Sequence, residues 1–160
     1  MAGARALEGT LRGDGRRFGL VASRFNGALV DQLLAGAMDC LARHGAPAEA
    51  VEVVRVPGAW EIPVALEWLA GSGRFDALIA VGVVIRGETA HFELISGECS
   101  RGAARVADRH GVAVAFGVLT CDTPEQAAAR AGGKAGNKGW EAALAALEMA
   151  DLRSPLTHPD

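Results

Sequence analysis

His91 and the residues just before it have the types and spacing to do chemistry. Residues 82–93 read Gly-Val-Val-Ile-Arg-Gly-Glu-Thr-Ala-His-Phe-Glu. An apolar run, Leu78 to Ile85, stops at Arg86-Gly87, a polar turn follows at Glu88-Thr89, and a helical pattern opens near His91. A buried strand that ends in Gly and enters a helix is where α/β proteins place ligands. Free N–H groups at such a helix start suit an anion such as phosphate. Imidazole is the side chain best placed to move protons near neutral pH. An anion cradle beside a proton shuttle predicts chemistry on a phosphorylated substrate. Glu88 and His91 are spaced like half a metal site, but no second His or Cys lies nearby. No metal is expected.

Three further segments carry groups of interest. Phe25 stands between Arg24 and Asn26. An aromatic in so polar a loop is either a core plug or a platform for a flat heterocycle. Trp60 and Glu61 follow Pro57-Gly58-Ala59. Glu61 read alone is a first-turn carboxylate complementing a helix N-terminus; the functional reading is an acceptor for substrate hydroxyls. Arg130 and the Gly132–Gly139 segment resemble an anion loop, although the segment fails the P-loop pattern. Arg suits phosphate through its planar fork of donors. Lys134 read alone is solvated surface charge.

These segments need elements to position them. Strands are predicted at Phe18–Ala22, Val51–Val56, Phe75–Ile85 and Val112–Leu119. Helices alternate with them. One carries Leu33, Ala37, Leu41 and His44, and the next carries Val64, Leu66 and Leu69. A third puts Ile95, Cys99, Ala103 and Val106 on one face. Thr123-Pro124-Glu125-Gln126 has the form of a capping box with Pro at the first helical position. The last helix is predicted over about 137–150, with Trp140, Leu144 and Leu147 on one face. Strands three and four are nearly continuous apolar runs, which fits a parallel sheet covered on both faces. In such a sheet the segments after the strands share one edge, so Phe25, Trp60, Glu61 and His91 can meet in one cleft. Residues 1–16 are read as an arm outside the core and 154–160 as a flexible tail.

Composition bounds the rest. At 160 residues the chain is read as one domain, and 50% hydrophobic content can bury a core. A net charge of −3 argues against nucleic-acid or membrane-surface partners. No run is long enough to span a bilayer and no apolar leader opens the chain, so a cytoplasmic protein is expected. Cys40, Cys99 and Cys121 are widely spaced and odd in number, and are read as buried, reduced thiols.

Taken together, four motifs resemble the 6,7-dimethyl-8-ribityllumazine synthase family. They are Arg-Phe-Asn at 24–26, Pro-Gly-Ala-Trp-Glu-Ile-Pro at 57–63, the 82–93 segment, and Arg-Ala-Gly-Gly-Lys-Ala-Gly-Asn-Lys-Gly at 130–139. The likeness runs from about Phe18 to Asp151. It implies a flavodoxin-like three-layer sandwich with a four-stranded parallel sheet and helices on both faces. The implied reaction condenses 5-amino-6-(D-ribitylamino)uracil with 3,4-dihydroxy-2-butanone 4-phosphate, the penultimate step of riboflavin biosynthesis, with no metal or organic cofactor. By resemblance, Phe25 stacks on the pyrimidine. Ala59, Trp60 and Glu61 bind pyrimidine and ribityl chain, with Glu61 on the hydroxyls. Val83, Val84 and Ile85 offer backbone groups to the pyrimidine edge. Glu88 and Thr89 hold phosphate through backbone N–H groups, and His91 shuttles protons. Phe116 and Arg130 serve a neighbouring subunit's site, Arg130 as a phosphate clamp.

Many relatives have Phe at Trp60 and Ala at Glu88; the Glu88 side chain is expected to face solvent. The partners implied are the two small substrates, further copies of the chain, and riboflavin synthase. Pentamers, decamers and sixty-subunit shells occur in the family. The uninterrupted Gly132–Gly139 loop favours a sixty-subunit shell here, with the arm adding a strand to a neighbour. Two other classes stay open at this point: a shell-forming paralogue that has lost catalysis, and a flavodoxin-like binding module.

Overall fold

The computed structural model describes residues 3–158; the outermost residues of the expected arm and tail, 1–2 and 159–160, lie outside the described residues. The four apolar runs form strands β1 (Phe18–Ser23), β2 (Val51–Val56), β3 (Ala77–Ile85) and β4 (Ala113–Cys121). They make one parallel sheet in the order β2-β1-β3-β4. Phe18 lies opposite Val51 on one side and Ala77 on the other, and β3 stays in step with β4 from Ala77–Ala113 to Ile85–Cys121. β1 and most of β3 are buried on both faces, which is why neither shows polar alternation. β2 is an edge strand, only half-buried, and its Glu52 and Arg55 interrupt the apolar pattern.

Among the described residues five α-helices complete the three layers: α1 (Gly27–Arg43), α2 (Ile62–Gly71), α3 (His91–His110), α4 (Pro124–Arg130) and α5 (Lys138–Thr157). On one face α1 and α5 pack Leu33, Leu41, Ala143 and Leu147 against Phe18, Leu20, Ile79 and Val81. On the other, α2 and α3 pack Ile62, Leu66, Leu69, Cys99 and Val106 against Val21, Leu78, Ala80 and Val118. This is the expected flavodoxin-like α/β sandwich. The chain crosses from β1 to β2 over one face, then from β2 to β3 over the other. The reversal leaves a crevice between the carboxyl ends of β1 and β3.

The α1–α5 contact is built from small residues. Gly139, Ala142, Ala143, Ala146 and Ala150 are all buried on α5. A Cβ at Gly139 would overlap the backbone carbonyl of Leu33. Backbone cannot retreat as a flexible side chain can, so Gly139→Ala should cost about 1–3 kcal/mol through overpacking. Thermal unfolding should show a fall in Tm of several degrees. An unchanged Tm would mean that the two helices part without cost.

Three expectations need correction. Val64 is exposed, not on the buried face of α2; that face is Ile62, Ala65, Leu66 and Leu69. Val64 is displaced because Ala65-Leu66 supply the core stripe, one helical turn on from Ile62. The last helix does not stop near Ala150 but continues to Thr157, so residues 154–157 of the expected tail are helical. Pro155 lies inside it, and the Thr157 hydroxyl donates to the Arg153 carbonyl at 2.9 Å in the last turn. The capping box before α4 is also displaced. Thr123 Oγ1 accepts from Gln126 N at 3.2 Å as expected, but Gln126 Oε1 accepts from Asp122 N instead of closing on Thr123.

The arm runs as coil across its own chain. Thr10 donates its N–H and hydroxyl to Asp151 at 2.7 and 2.8 Å, and Arg16 pairs with the same carboxylate at 3.3 Å. These donors, the Thr10 backbone N–H first, hold Asp151 below the usual carboxylate range. The stability they add is present above the ordinary carboxylate pKa and is lost as pH falls through the lowered value.

Candidate active site

The segments after β1, β2 and β3 open into one cleft of about 890 Å³. It lies at the crevice between β1 and β3, where open α/β sheets take ligands. Phe25, Ala59, Trp60, Glu61, Val83, Val84, Ile85, Thr89 and His91 all line it. Phe25 is 72% exposed and Trp60 57% exposed, which decides against the core-plug reading of Phe25. Two large rings left open to solvent on a cleft wall suit a flat ligand.

Local backbone bonds fix these walls. Arg24 N–H donates to Val56 O at 2.8 Å and Phe25 N–H to Pro57 O at 3.1 Å, tying the loop after β1 to the end of β2. Asn26 is held at φ 59 and ψ 40, the one left-handed non-glycine among the described residues. Its Nδ2 donates to Val83 O at 2.8 Å. Strain of this kind collects where surrounding structure over-determines a site. Glu61 is half-buried, and its Oε2 accepts from Gly58 N at 3.0 Å. The helix-start role read from sequence is therefore present, beside a place in the cleft lining.

The turn before α3 is open in a different way. Residues 86–91 are all exposed. Among the described residues, the backbone N–H groups of Gly87, Glu88, Thr89 and Ala90 donate to no protein acceptor. Ala90 caps α3 without a side-chain acceptor, whereas Thr123 caps α4 and Asn137 caps α5. Orphan N–H groups and the helix dipole together favour an anion at this end. The Thr89 hydroxyl accepts from His91 N at 3.3 Å, and the His91 side chain is exposed at the rim.

Three expected site residues lie outside this cleft. Glu88 is exposed but does not line it. Phe116, in β4, is half-buried against the α2–α3 core. Arg130 is exposed at the end of α4, and its Nη1 donates to Gln126 O at 3.1 Å. Arg130 lines a second cavity of about 340 Å³ with Thr120, Cys121, Lys138 and Glu141. The two cavities share no residue. A short antiparallel hairpin, β5 (Ala131–Gly133) with β6 (Gly136–Asn137), shapes the Gly-rich segment beside the second cavity. Neither Lys nor Arg lines the first cleft; its ionisable groups are Glu61, Glu98 and His91.

Sequence reasoning missed Asn26, Phe92, Leu94, Ile95 and Glu98 in the cleft lining. Leu94, Ile95 and Glu98 follow His91 at helical spacing, which is a usable signal. Lys138, from the segment read as an anion loop, lines the second cavity, and Glu141 there was missed. The three cysteines are buried and free, and burial pushes the Cys99 thiol up to about 12. Among the described residues no group of three His, Cys, Asp or Glu could hold a metal ion. No helix among them is long and apolar enough to cross a membrane.

Comparison with known proteins identifies the family. The family model described as 6,7-dimethyl-8-ribityllumazine synthase matches residues 15–154. A protein of that name from Aquifex aeolicus (strain VF5) is 57% identical over 145 residues, covering 91% of this chain and 94% of the relative. Another from Desulfatibacillum aliphaticivorans is 53% identical over 148 residues, covering 92% and 96%. With nearly the whole of each chain aligned at more than half identity, this chain belongs to the 6,7-dimethyl-8-ribityllumazine synthase family.

Proposed function

We propose that this chain condenses 5-amino-6-(D-ribitylamino)uracil with 3,4-dihydroxy-2-butanone 4-phosphate to give 6,7-dimethyl-8-ribityllumazine. The observation that carries the reading is one cleft lined both by exposed aromatic rings and by residues at an uncapped helix start. Phe25 stacks on the pyrimidine, and Ala59 and Trp60 close the same side. Backbone groups of Val83, Val84 and Ile85 read the pyrimidine edge. Glu61 accepts from ribityl hydroxyls. The N–H groups of Glu88 and Thr89 take the phosphate, and the Glu88 side chain stays in solvent.

The chemistry needs orientation more than force. The pyrimidine amine adds to the ketone and water leaves, giving an imine. Elimination of phosphate gives an enol, which tautomerises to a new ketone. The ribityl-bearing nitrogen adds to that carbonyl and a second water leaves as the ring closes. Holding two reactants in register supplies much of the rate. His91, beside the phosphate turn, moves the protons. His91→Ala should slow turnover by about 10-fold or more while assembly stays intact, read by steady-state kinetics and sedimentation together. Wild-type turnover in that variant would remove His91 from the mechanism.

A phosphorylated substrate also needs a counter-charge that the first cleft does not contain. Arg130 stands at the second cavity beside Lys138. We infer that copies of the chain form a head-to-tail ring, a pentamer, in which Arg130 and Phe116 of one subunit complete the cleft of the next. Assembly of such rings into a sixty-subunit shell, strand addition by the arm, association with riboflavin synthase and a cytoplasmic location belong to the same proposal. The direct test is to mix the two substrates with the protein and follow lumazine absorbance and fluorescence. A folded, assembled protein that forms no product would leave a catalytically silent shell protein in its place.

A further inference from the structure

We propose that Arg86 is a positioning residue for the phosphorylated substrate, acting as a clamp on the Gly87–His91 turn. This rests on the function proposed above. The turn makes almost no packing of its own, since every residue from Arg86 to His91 is exposed. Its start is pinned by the ladder bond from Arg86 N to Cys121 O at 2.9 Å. Its far end enters α3, whose buried anchors, Cys99, Ala103 and Val106, begin two turns later. Between those points the Arg86 side chain is the tie. Its Nε donates to Asp122 Oδ1 at 2.8 Å and its Nη1 to Glu93 Oε1. Its Cζ lies 4.4 Å from the centre of the Phe92 ring. One guanidinium thus joins the end of β4 to the first turn of α3 and closes the intervening residues into a loop.

The anchor on the β4 side is itself fixed. Asp122 N donates to Gln126 Oε1 at 2.8 Å. Both carboxylates raise the Arg86 pKa, Asp122 first, and Arg86 in turn holds Glu93 below the usual carboxylate range. The guanidinium is committed to these two acids and does not line the cleft. Its action on substrate therefore passes through the aim of the turn's N–H groups and of His91. Arg suits this task and Lys does not, because only the planar fork can serve two carboxylates and stack on a ring at once.

The assembled protein carrying Arg86→Met tests the clamp, with Glu93→Gln as a milder variant that leaves Arg86 in place. Loss of aim at a reacting group should raise the KM for the phosphorylated substrate by about 10-fold in Arg86→Met, less in Glu93→Gln, with the pyrimidine KM within about twofold in both. Arg86→Lys should recover only part of the loss. Binding of inorganic phosphate, followed by calorimetry, should weaken in the same order. Equal rises in both KM values, or a phosphate affinity the same in all four proteins, would overturn the clamp. Should the four proteins bind phosphate in that order while wild type forms no lumazine, the proposed reaction fails and the clamp stands. Should wild type bind no phosphate, the clamp is wrong.

Discussion

Arg130→Ala should raise the KM for 3,4-dihydroxy-2-butanone 4-phosphate by about 10- to 100-fold, the scale of one lost charge-assisted contact worth about 1.5–3 kcal/mol. The KM for the pyrimidine should hardly move. The argument begins with what the first cleft lacks. The turn that would take the phosphate offers N–H dipoles and the His91 imidazole, and neither Lys nor Arg lines the cleft. A dianion placed there without a counter-charge would keep much of its hydration and bind weakly. Arg130 is exposed, and among the described residues its side chain makes one hydrogen bond, to the Gln126 carbonyl. Nothing in that contact supports the core, so removing the side chain should leave folding alone. Steady-state kinetics with each substrate varied in turn gives the answer. Equal rises in both KM values would indicate a damaged fold and remove Arg130 from phosphate binding.

The layout of the sheet was legible because parallel strands buried on both faces must be apolar throughout. β2 matched its expected bounds at both ends, since Pro47 and Pro57-Gly58 punctuate it. Helices α1 and α3 were readable for the complementary reason, a buried stripe against a charged face. α5 was harder. Its buried face is largely Ala and Gly, so apolar periodicity fades, and Pro155 gives a stop signal that the helix does not obey. The β5–β6 hairpin is short and Gly-rich, and no side-chain pattern announces it.

The cleft was legible in a different sense. Phe25, Trp60, Glu61 and His91 could be brought together because strand ends in one parallel sheet share an edge. Whether Phe25 plugged a core or faced a ligand depended on tertiary exposure, which no local pattern encodes. The same holds for Arg86. Its acids lie 7 and 36 residues away, so the clamp exists only once β3, β4 and α3 are assembled. Asn26 shows the limit most clearly. Asn tolerates the left-handed region, yet its bond to Val83 O spans 57 residues and needs the β1–β3 crevice to exist first.

The division of the chain into two unconnected cavities leads to the second large expected effect. Rings assembled from equal amounts of His91→Ala and Arg130→Ala chains should be far more active than either variant alone. If each site takes His91 from one chain and Arg130 from its neighbour, random assembly makes roughly a quarter of the sites wild type at both positions. Another quarter carry both lesions, and the rest carry one. Activity should then climb towards about a quarter of the wild-type value, well above the mean of the two parents. Co-expression of two tagged chains, with purification through both tags, ensures that mixed rings are what is assayed. Mixing the two finished assemblies without exchange gives the control, and should return only that mean. A co-assembled sample that also returns only the mean would place His91 and Arg130 in service of one chain's own site. The second cavity would then need another explanation for its pairing of Arg130 and Lys138 beside Glu141.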